Sequence, residues 1–267
     1  DLQKENRKLF TAKAATGDWD AIIMTHSSFN KVGMSPEYQQ DFIQKEIDSY
    51  EQLLSYANAQ GGNNRRFIKD LETSKQNLEN KLDKVVGKTA RSKDQHIFFE
   101  ELGVDHIFID EAHAFKNLQI QTKMDRVAGL NTNGSERSLN LFMMTEYLNA
   151  LEQAGITFAT ATPITNSLSE MYTMMRYLIP KQMDEIGIQH FDAWAAAFGE
   201  VVTRLEIKPD ASTIDFQSRF AKFHNVPELL QLFNLVADIK RPEDLDLPVP
   251  EARYETIVAE PSEDLLA

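Results

Sequence analysis

Short apolar runs alternate with amphipathic helical stretches along this chain, and that alternation is what most restricts its fold. Ala21-Ile22-Ile23-Met24, Ile107-Phe108-Ile109 and Ile156-Thr157-Phe158-Ala159-Thr160 have strand length, and Asp18 and Asp20 supply turn chemistry before the first. Between the second and third runs a Gly/Asn loop, residues 131–135, leads into a helix. Leu139, Phe142, Met143, Tyr147 and Leu151 share one side of it, and Gly155 stops it. After the third run Asn166 or Ser167 caps another helix, with Glu170 completing a capping box. Leu168, Met171, Tyr172, Met175 and Leu178 form its apolar face, and Pro180 ends it. Strands alternating with helices predict an α/β layered fold with a mainly parallel sheet.

One stretch breaks this rhythm. Ile43, Ile47, Tyr50, Leu54 and Ala57 recur three and four apart, and after Gly61-Gly62-Asn63-Asn64 a second stripe runs through Leu71, Leu78, Leu82 and Val85. Two such helices joined by a glycine-rich turn predict an antiparallel hairpin in which each covers the other's seam. Such stripes serve packing alone, or they build a protruding arm that touches a partner. Residues 1–16 carry a helical pattern ended by Gly17. The stretch after Pro180 reads as mostly helical, with aromatic residues at Phe191, Trp194, Phe198, Phe220 and Phe223, and Asn225-Val226-Pro227 starts a helix through Leu229, Leu230, Leu232 and Phe233. Residues 242–250 are rich in Pro and Asp and read as a linker, and 254–259 read as one more strand.

Composition narrows the function classes. Of 267 residues 42% are hydrophobic and 26% charged, an ordinary globular balance. The absence of Cys excludes disulfides and cysteine-based zinc sites and fits a reducing, cytoplasmic setting. No apolar run approaches the roughly 20 residues of a membrane span, so no membrane partner is expected. A net charge of -13 argues against a broad nucleic-acid face, which needs clustered Lys and Arg.

The chemistry concentrates at Asp110-Glu111-Ala112-His113, which closes an apolar strand. Ligands of open α/β sheets sit at the carboxyl ends of the strands. Asp110 there can hold a magnesium ion, which prefers oxygen ligands. Glu111 can orient and deprotonate the water that attacks a γ-phosphate, and His113 can link the site to a neighbouring strand. Thr160-Ala161-Thr162-Pro163 closes the next strand, where small hydroxyl side chains can hydrogen-bond the acidic cluster and sense its state.

Together Asp110-Glu111-Ala112-His113 with Lys116-Asn117, and Thr160-Ala161-Thr162-Pro163-Ile164-Thr165-Asn166 with Leu168-Ser169-Glu170-Met171-Tyr172, resemble motifs two and three of superfamily-two helicases of the DEAH-box, Swi/Snf type. Asn6-Arg7-Lys8, Ala15-Thr16-Gly17-Asp18, Thr25-His26-Ser27-Ser28-Phe29, Thr122-Lys123-Met124, Phe191-Asp192-Ala193-Trp194 and Arg219-Phe220-Ala221-Lys222-Phe223 extend the likeness. So does 100–105, and the chain is similar over nearly its whole length to the large helicase–methyltransferase proteins of conjugative elements and phages. The resemblance implies a three-layer RecA-like lobe of the P-loop NTPase type, one of two in an ATP-driven motor on double-stranded DNA. It implies Asp110 as the Mg2+ ligand, Glu111 as catalytic base, His113 as the polar link, and Thr160, Ala161 and Thr162 as the coupling motif. Thr25 and His26 fall where the family has a DNA-contacting motif. Ala161 stands where many relatives carry glycine.

On this reading residues 1–34 begin the lobe, 35–97 are the helical insertion, 98–241 complete the lobe with a helical extension, and 242–267 lead towards a second lobe. The ATP-cradling phosphate loop is expected before Asp1, and the second lobe, its arginine finger and a methyltransferase domain elsewhere in the same polypeptide. Gly87-Lys88-Thr89 is not that loop: Leu82 occupies the place of its first glycine, and the residues finish an amphipathic helix. The expected enzyme is a DNA-dependent ATPase whose isolated fragment is inactive and binds ATP weakly. Two alternatives stay open: a non-catalytic helicase-like module whose hairpin docks partners, and a metal-dependent hydrolase using Asp110, Glu111 and His113 directly.

Overall fold

The computed structural model describes residues 10, 12–59, 65–89, 98–122, 124, 127–130, 132–165, 167, 169–207, 214–241, 244–245 and 253–258. Two strands carry the centre, β1 (His106–Ile109) and β3 (Gly155–Phe158). They pair in parallel, with Ile107 opposite Ile156 and Ile109 opposite Phe158. The N–H of Gly155 donates to Asp105 O and that of Ala159 to Ile109 O, both at 2.8 Å. Parallel neighbours need a crossover, and the stretch between them supplies it with the short β2 (Val127–Ala128) and a helix of residues Glu136–Ala150. The Ser135 hydroxyl caps this helix by accepting the Ser138 N–H at 3.2 Å. Its Leu141, Phe142, Met143, Met144 and Leu148 are buried in a core shared with Ile107 and Ile109. Alternate residues of β1 point away, and Phe108 is 76% exposed.

Upstream lie a short helix, α1 (His26–Phe29), and the long pair α2 (Pro36–Ala59) and α3 (Arg65–Thr89). The pair is antiparallel: Tyr50 packs on Leu71, and Lys75 Nζ lies 2.6 Å from Glu51 Oε1. Of its heptad positions Ile43, Ile47 and Val85 enter the main core, joined by Phe42, and Tyr50 and Leu71 seal the outer part; the Ala57 side chain lies outside the described residues. The two roots lie side by side. Phe99 N–H donates to Gly33 O at 2.9 Å, and Ser35 N–H donates to Glu100 Oε1 at 2.8 Å.

The helix Glu136–Ala150 is α4. Beyond β3, α5 (Ser169–Leu178), α6 (Pro180–Glu185), α7 (Phe191–Phe198) and α8 (Val226–Asn234) build a second core around Trp194, which is fully buried. Its ring meets those of Tyr172, Phe198 and Phe220 at 5.6, 5.8 and 6.1 Å. Phe158 and Leu178 pack against both cores, so the two are contiguous.

Three expectations need correction. The stretch after α7 is not helical: β4 (Gly199–Ile207) and β5 (Ile214–Phe223) form an antiparallel hairpin, with β2 parallel to the other edge of β5. β-branched residues in Val201-Val202-Thr203 and the alternation through Phe216, Ser218 and Phe220 suit a pleated strand. At Gly199 a Cβ would meet Phe220 Cζ at 1.8 Å, so any larger residue would displace that buried ring. Ala21-Ile22-Ile23-Met24 does not form a buried strand; Ile23 is 96% exposed and no described strand pairs with the segment. Residues 254–258 form no strand either, and Tyr254 and Ile257 are 92% and 91% exposed. In both cases no strand among the described residues lies beside the segment to complete a ladder. The first helical stretch is helical at 12–16, and 1–9 lie outside the described residues, as does the Gly61–Asn64 turn.

The sheets are therefore a small parallel pair and a three-stranded mixed sheet, in an α/β arrangement of helices and strands. No helix among the described residues is long and apolar enough to cross a membrane.

Candidate functional site

At the end of β1 the backbone reverses. Glu111 sits in the left-handed region, φ 51° and ψ 46°, and starts a tight 3-10 turn over Ala112–Phe115. A residue other than glycine pays about 1 kcal/mol or more for that conformation, and such strain is held only where the surroundings over-determine it. Here Ala112 and Phe115 are completely buried, and the Ala112 N–H donates to Ala159 O at 3.0 Å. That bond locks the acidic turn to the carboxyl end of β3, and it leaves the Asp110 and Glu111 side chains exposed at the sheet's rim.

The polar contacts around the turn are specific. Asp110 Oδ1 accepts the Glu111 N–H at 2.9 Å. His113 Nδ1 lies 3.0 Å from Glu111 Oε2 and 3.3 Å from Thr160 Oγ1, so one ring nitrogen touches both the acidic turn and the end of β3. Thr160 Oγ1 also accepts the Thr162 N–H at 3.1 Å. Ala161 and Thr162 are exposed. His26 Nε2 donates to the carbonyl of Asp110 at 2.8 Å, and its ring meets Phe115 edge-on at 5.1 Å. Thr25 Oγ1 caps α1 by accepting the Ser28 N–H at 3.3 Å. All of the expected site residues thus gather at one end of β1 and β3, with Thr25 one residue removed through His26.

Sequence reasoning placed Lys116 in the family resemblance and Glu170 in a capping box, but did not pair the two. Lys116 ends the 3-10 turn, and its Nζ lies 2.9 Å from Glu170 Oε1 on the first turn of α5. Their side chains are only 15% and 10% exposed. The ammonium also hydrogen-bonds the Thr165 hydroxyl, and the Thr165 N–H donates to Glu170 Oε2 at 2.6 Å. Burial acts to raise the Glu170 carboxyl, yet the Thr165 N–H and the Lys116 ammonium outweigh it and hold the group below the usual carboxylate range. The signal in the sequence was the capping-box glutamate, which accepts the Thr165 N–H; Asn166, one of its two expected caps, lies outside the described residues.

Among the described residues no group of three or more His, Asp or Glu side chains could by itself enclose a metal ion. Neither of two large cavities, about 670 and 550 Å3, is lined by Asp110, Glu111 or Thr160. The acidic turn is an open rim.

A chain with this strand-end acidic turn belongs to the probable helicase domain family, whose model matches residues 1–241. It is similar to the "Defense against restriction protein B" of Escherichia phage P1, 26% identical over 165 residues, covering 59% of this chain and 7% of that protein. The chain thus spans a small part of the length of that relative. No solved structure matches it.

Proposed function

We propose that this chain supplies the magnesium-binding and water-activating half of the ATP site in a DNA-dependent ATPase that translocates on duplex DNA. The observation that carries the reading is the acidic turn itself: Asp110 and Glu111 lie exposed at the carboxyl end of β1, and the Ala112 N–H and His113 bind the turn to the end of β3. Family membership and the phage relative support it.

The donor set suits a hard cation. Magnesium keeps most of its water and takes one or two carboxylates with the phosphates of its nucleotide, so two exposed carboxylates on an open rim fit it better than a closed cage. Asp110 would hold Mg2+, which neutralises charge developing on the transferred phosphoryl group. Glu111 would orient the attacking water and take its proton. His113 and Thr160, with Ala161 and Thr162, would couple the turn to DNA, and Thr25 and His26 would extend towards it.

The other side of the sheet supports a larger lobe. Phe108 is 76% exposed and stacks on His106 at 4.3 Å, although the run Ile107-Phe108-Ile109 has the continuous apolar character of a strand covered on both faces. The proposed cover is the rest of a RecA-like lobe that also carries the phosphate loop. A second lobe and a methyltransferase domain would complete a cytoplasmic protein acting on double-stranded DNA.

The test is Glu111→Gln in the full-length parent, which removes the base and keeps the side chain's size. DNA-stimulated ATP hydrolysis should fall at least about 100-fold, the lower range for loss of a general base. Unchanged hydrolysis would reject the enzyme reading and favour the module whose hairpin docks partners.

A further inference from the structure

Helix α5 grips the acidic turn at two places. Near its start Glu170 pairs with Lys116, and near its end the buried Tyr177 hydroxyl lies 3.0 Å from Phe115 O. These residues are the last of the 3-10 turn and its C-cap, so one hold acts on the turn's backbone and the other on the side chain of its C-cap. The body of α5 is fixed in the second core by Met171, Tyr172, Met174 and Met175, and Ser169 Oγ donates to Gly129 O at 2.9 Å. Phe115 and Leu118 hold the turn in the first core. The loop after β3 is attached to the same pair, because Glu170 accepts the Thr165 N–H and Lys116 bonds the Thr165 hydroxyl.

We infer that Lys116 and Glu170 are a positioning pair that makes the Thr160–Thr165 loop and the Glu111 turn move as one unit, so that an event at the loop resets the water-activating carboxylate. This rests on the ATPase reading above and goes beyond it by naming the coupling element. That reading gives neither residue a chemical step. Their effect runs through geometry: the ion pair is 85–90% shielded, and a shielded pair with Thr165 bound to both partners has little freedom to break and re-form as the loop shifts. The Glu111–His113 contact is 61% and 39% exposed, which makes it the softer of the two connections.

The readout is the ratio of ATP hydrolysis at saturating duplex DNA to hydrolysis without DNA, measured in the full-length parent. A misfolded fraction lowers both rates equally and cancels from the ratio. Lys116→Met and Glu170→Gln should each lower the ratio about tenfold, the range of a typical coupling between sites. Lys116→Arg, which keeps the charge, should stay within about twofold of the parent on the same scale. If Lys116→Met does not fold, Lys116→Gln is the second variant, with the same expectation. A ratio unchanged in Lys116→Met (or Lys116→Gln) and Glu170→Gln, with Glu111→Gln inactive, would overturn the positioning role and leave the ATPase standing. An equal fall in Lys116→Arg would overturn it too, since charge would then not be the cause. Retained hydrolysis in Glu111→Gln removes the ATPase reading itself, a separate and distinguishable failure.

Discussion

Replacing Lys116 with Met removes one charge from a shielded pair and strands the other. Glu170, 10% exposed, would then keep its carboxylate in a site with little water, supported by the Thr165 N–H at 2.6 Å. Removing one partner of a buried ion pair costs about 3–5 kcal/mol. The low end applies here because both groups keep some solvent and Glu170 keeps its backbone donor, so Lys116→Met should cost about 3 kcal/mol. Glu170→Gln keeps an acceptor for Thr165 but leaves the ammonium unpaired, and should cost about 2–3 kcal/mol. In the double variant neither charge is buried, and the total should be about 3 kcal/mol rather than the sum, a coupling of about 2–3 kcal/mol. For a chain of this size Lys116→Met lowers Tm by roughly 6–12 °C and Glu170→Gln by roughly 4–12 °C. Urea unfolding followed by far-ultraviolet circular dichroism, on the four proteins of the cycle, measures all three terms. Costs that add to within about 0.5 kcal/mol would refute the reasoning, because independent sites add.

Two further outcomes follow from the same geometry. The folded-state pKa of Glu170 lies below its unfolded value, so its contribution is present above the ordinary carboxylate range and is lost as pH falls through and below it. Glu46 is displaced the other way, raised by burial despite the opposing Arg176, so its ionisation costs stability as pH rises from the ordinary range through the raised value. Urea midpoints across about pH 3–8 should therefore lose part of their acid decline in Glu170→Gln and part of their decline at higher pH in Glu46→Gln; identical profiles would contradict both assignments. Glu111→Gly relieves left-handed strain of about 1–2 kcal/mol and adds about 0.5–1 kcal/mol of unfolded-chain entropy, for a net gain near 0.5–1 kcal/mol. The exposed contact with His113 contributes little to set against this. A lower urea midpoint in Glu111→Gly would show that the turn is not strained.

What the amino-acid order determined by itself is the local geometry. The helical pair, the helices before and after β3, β1 and β3 all follow from periodicity, interactions among residues a few positions apart. Grouping Asp110, Glu111, His113 and Thr160 also followed, since strand ends are where a parallel pair brings distant segments together. Tertiary structure alone decided the pairings. Ala21-Ile22-Ile23-Met24 has the composition of a strand and lacks a described neighbour, while the aromatic stretch after Phe198 becomes a hairpin because Phe220 packs over Gly199 and beside Trp194. Lys116 likewise reads as part of a motif without a partner until α5 brings Glu170 to within 2.9 Å. Periodicity reports which face of an element is apolar, but a charge or a strand edge acquires its meaning only from the partner that the completed fold sets against it.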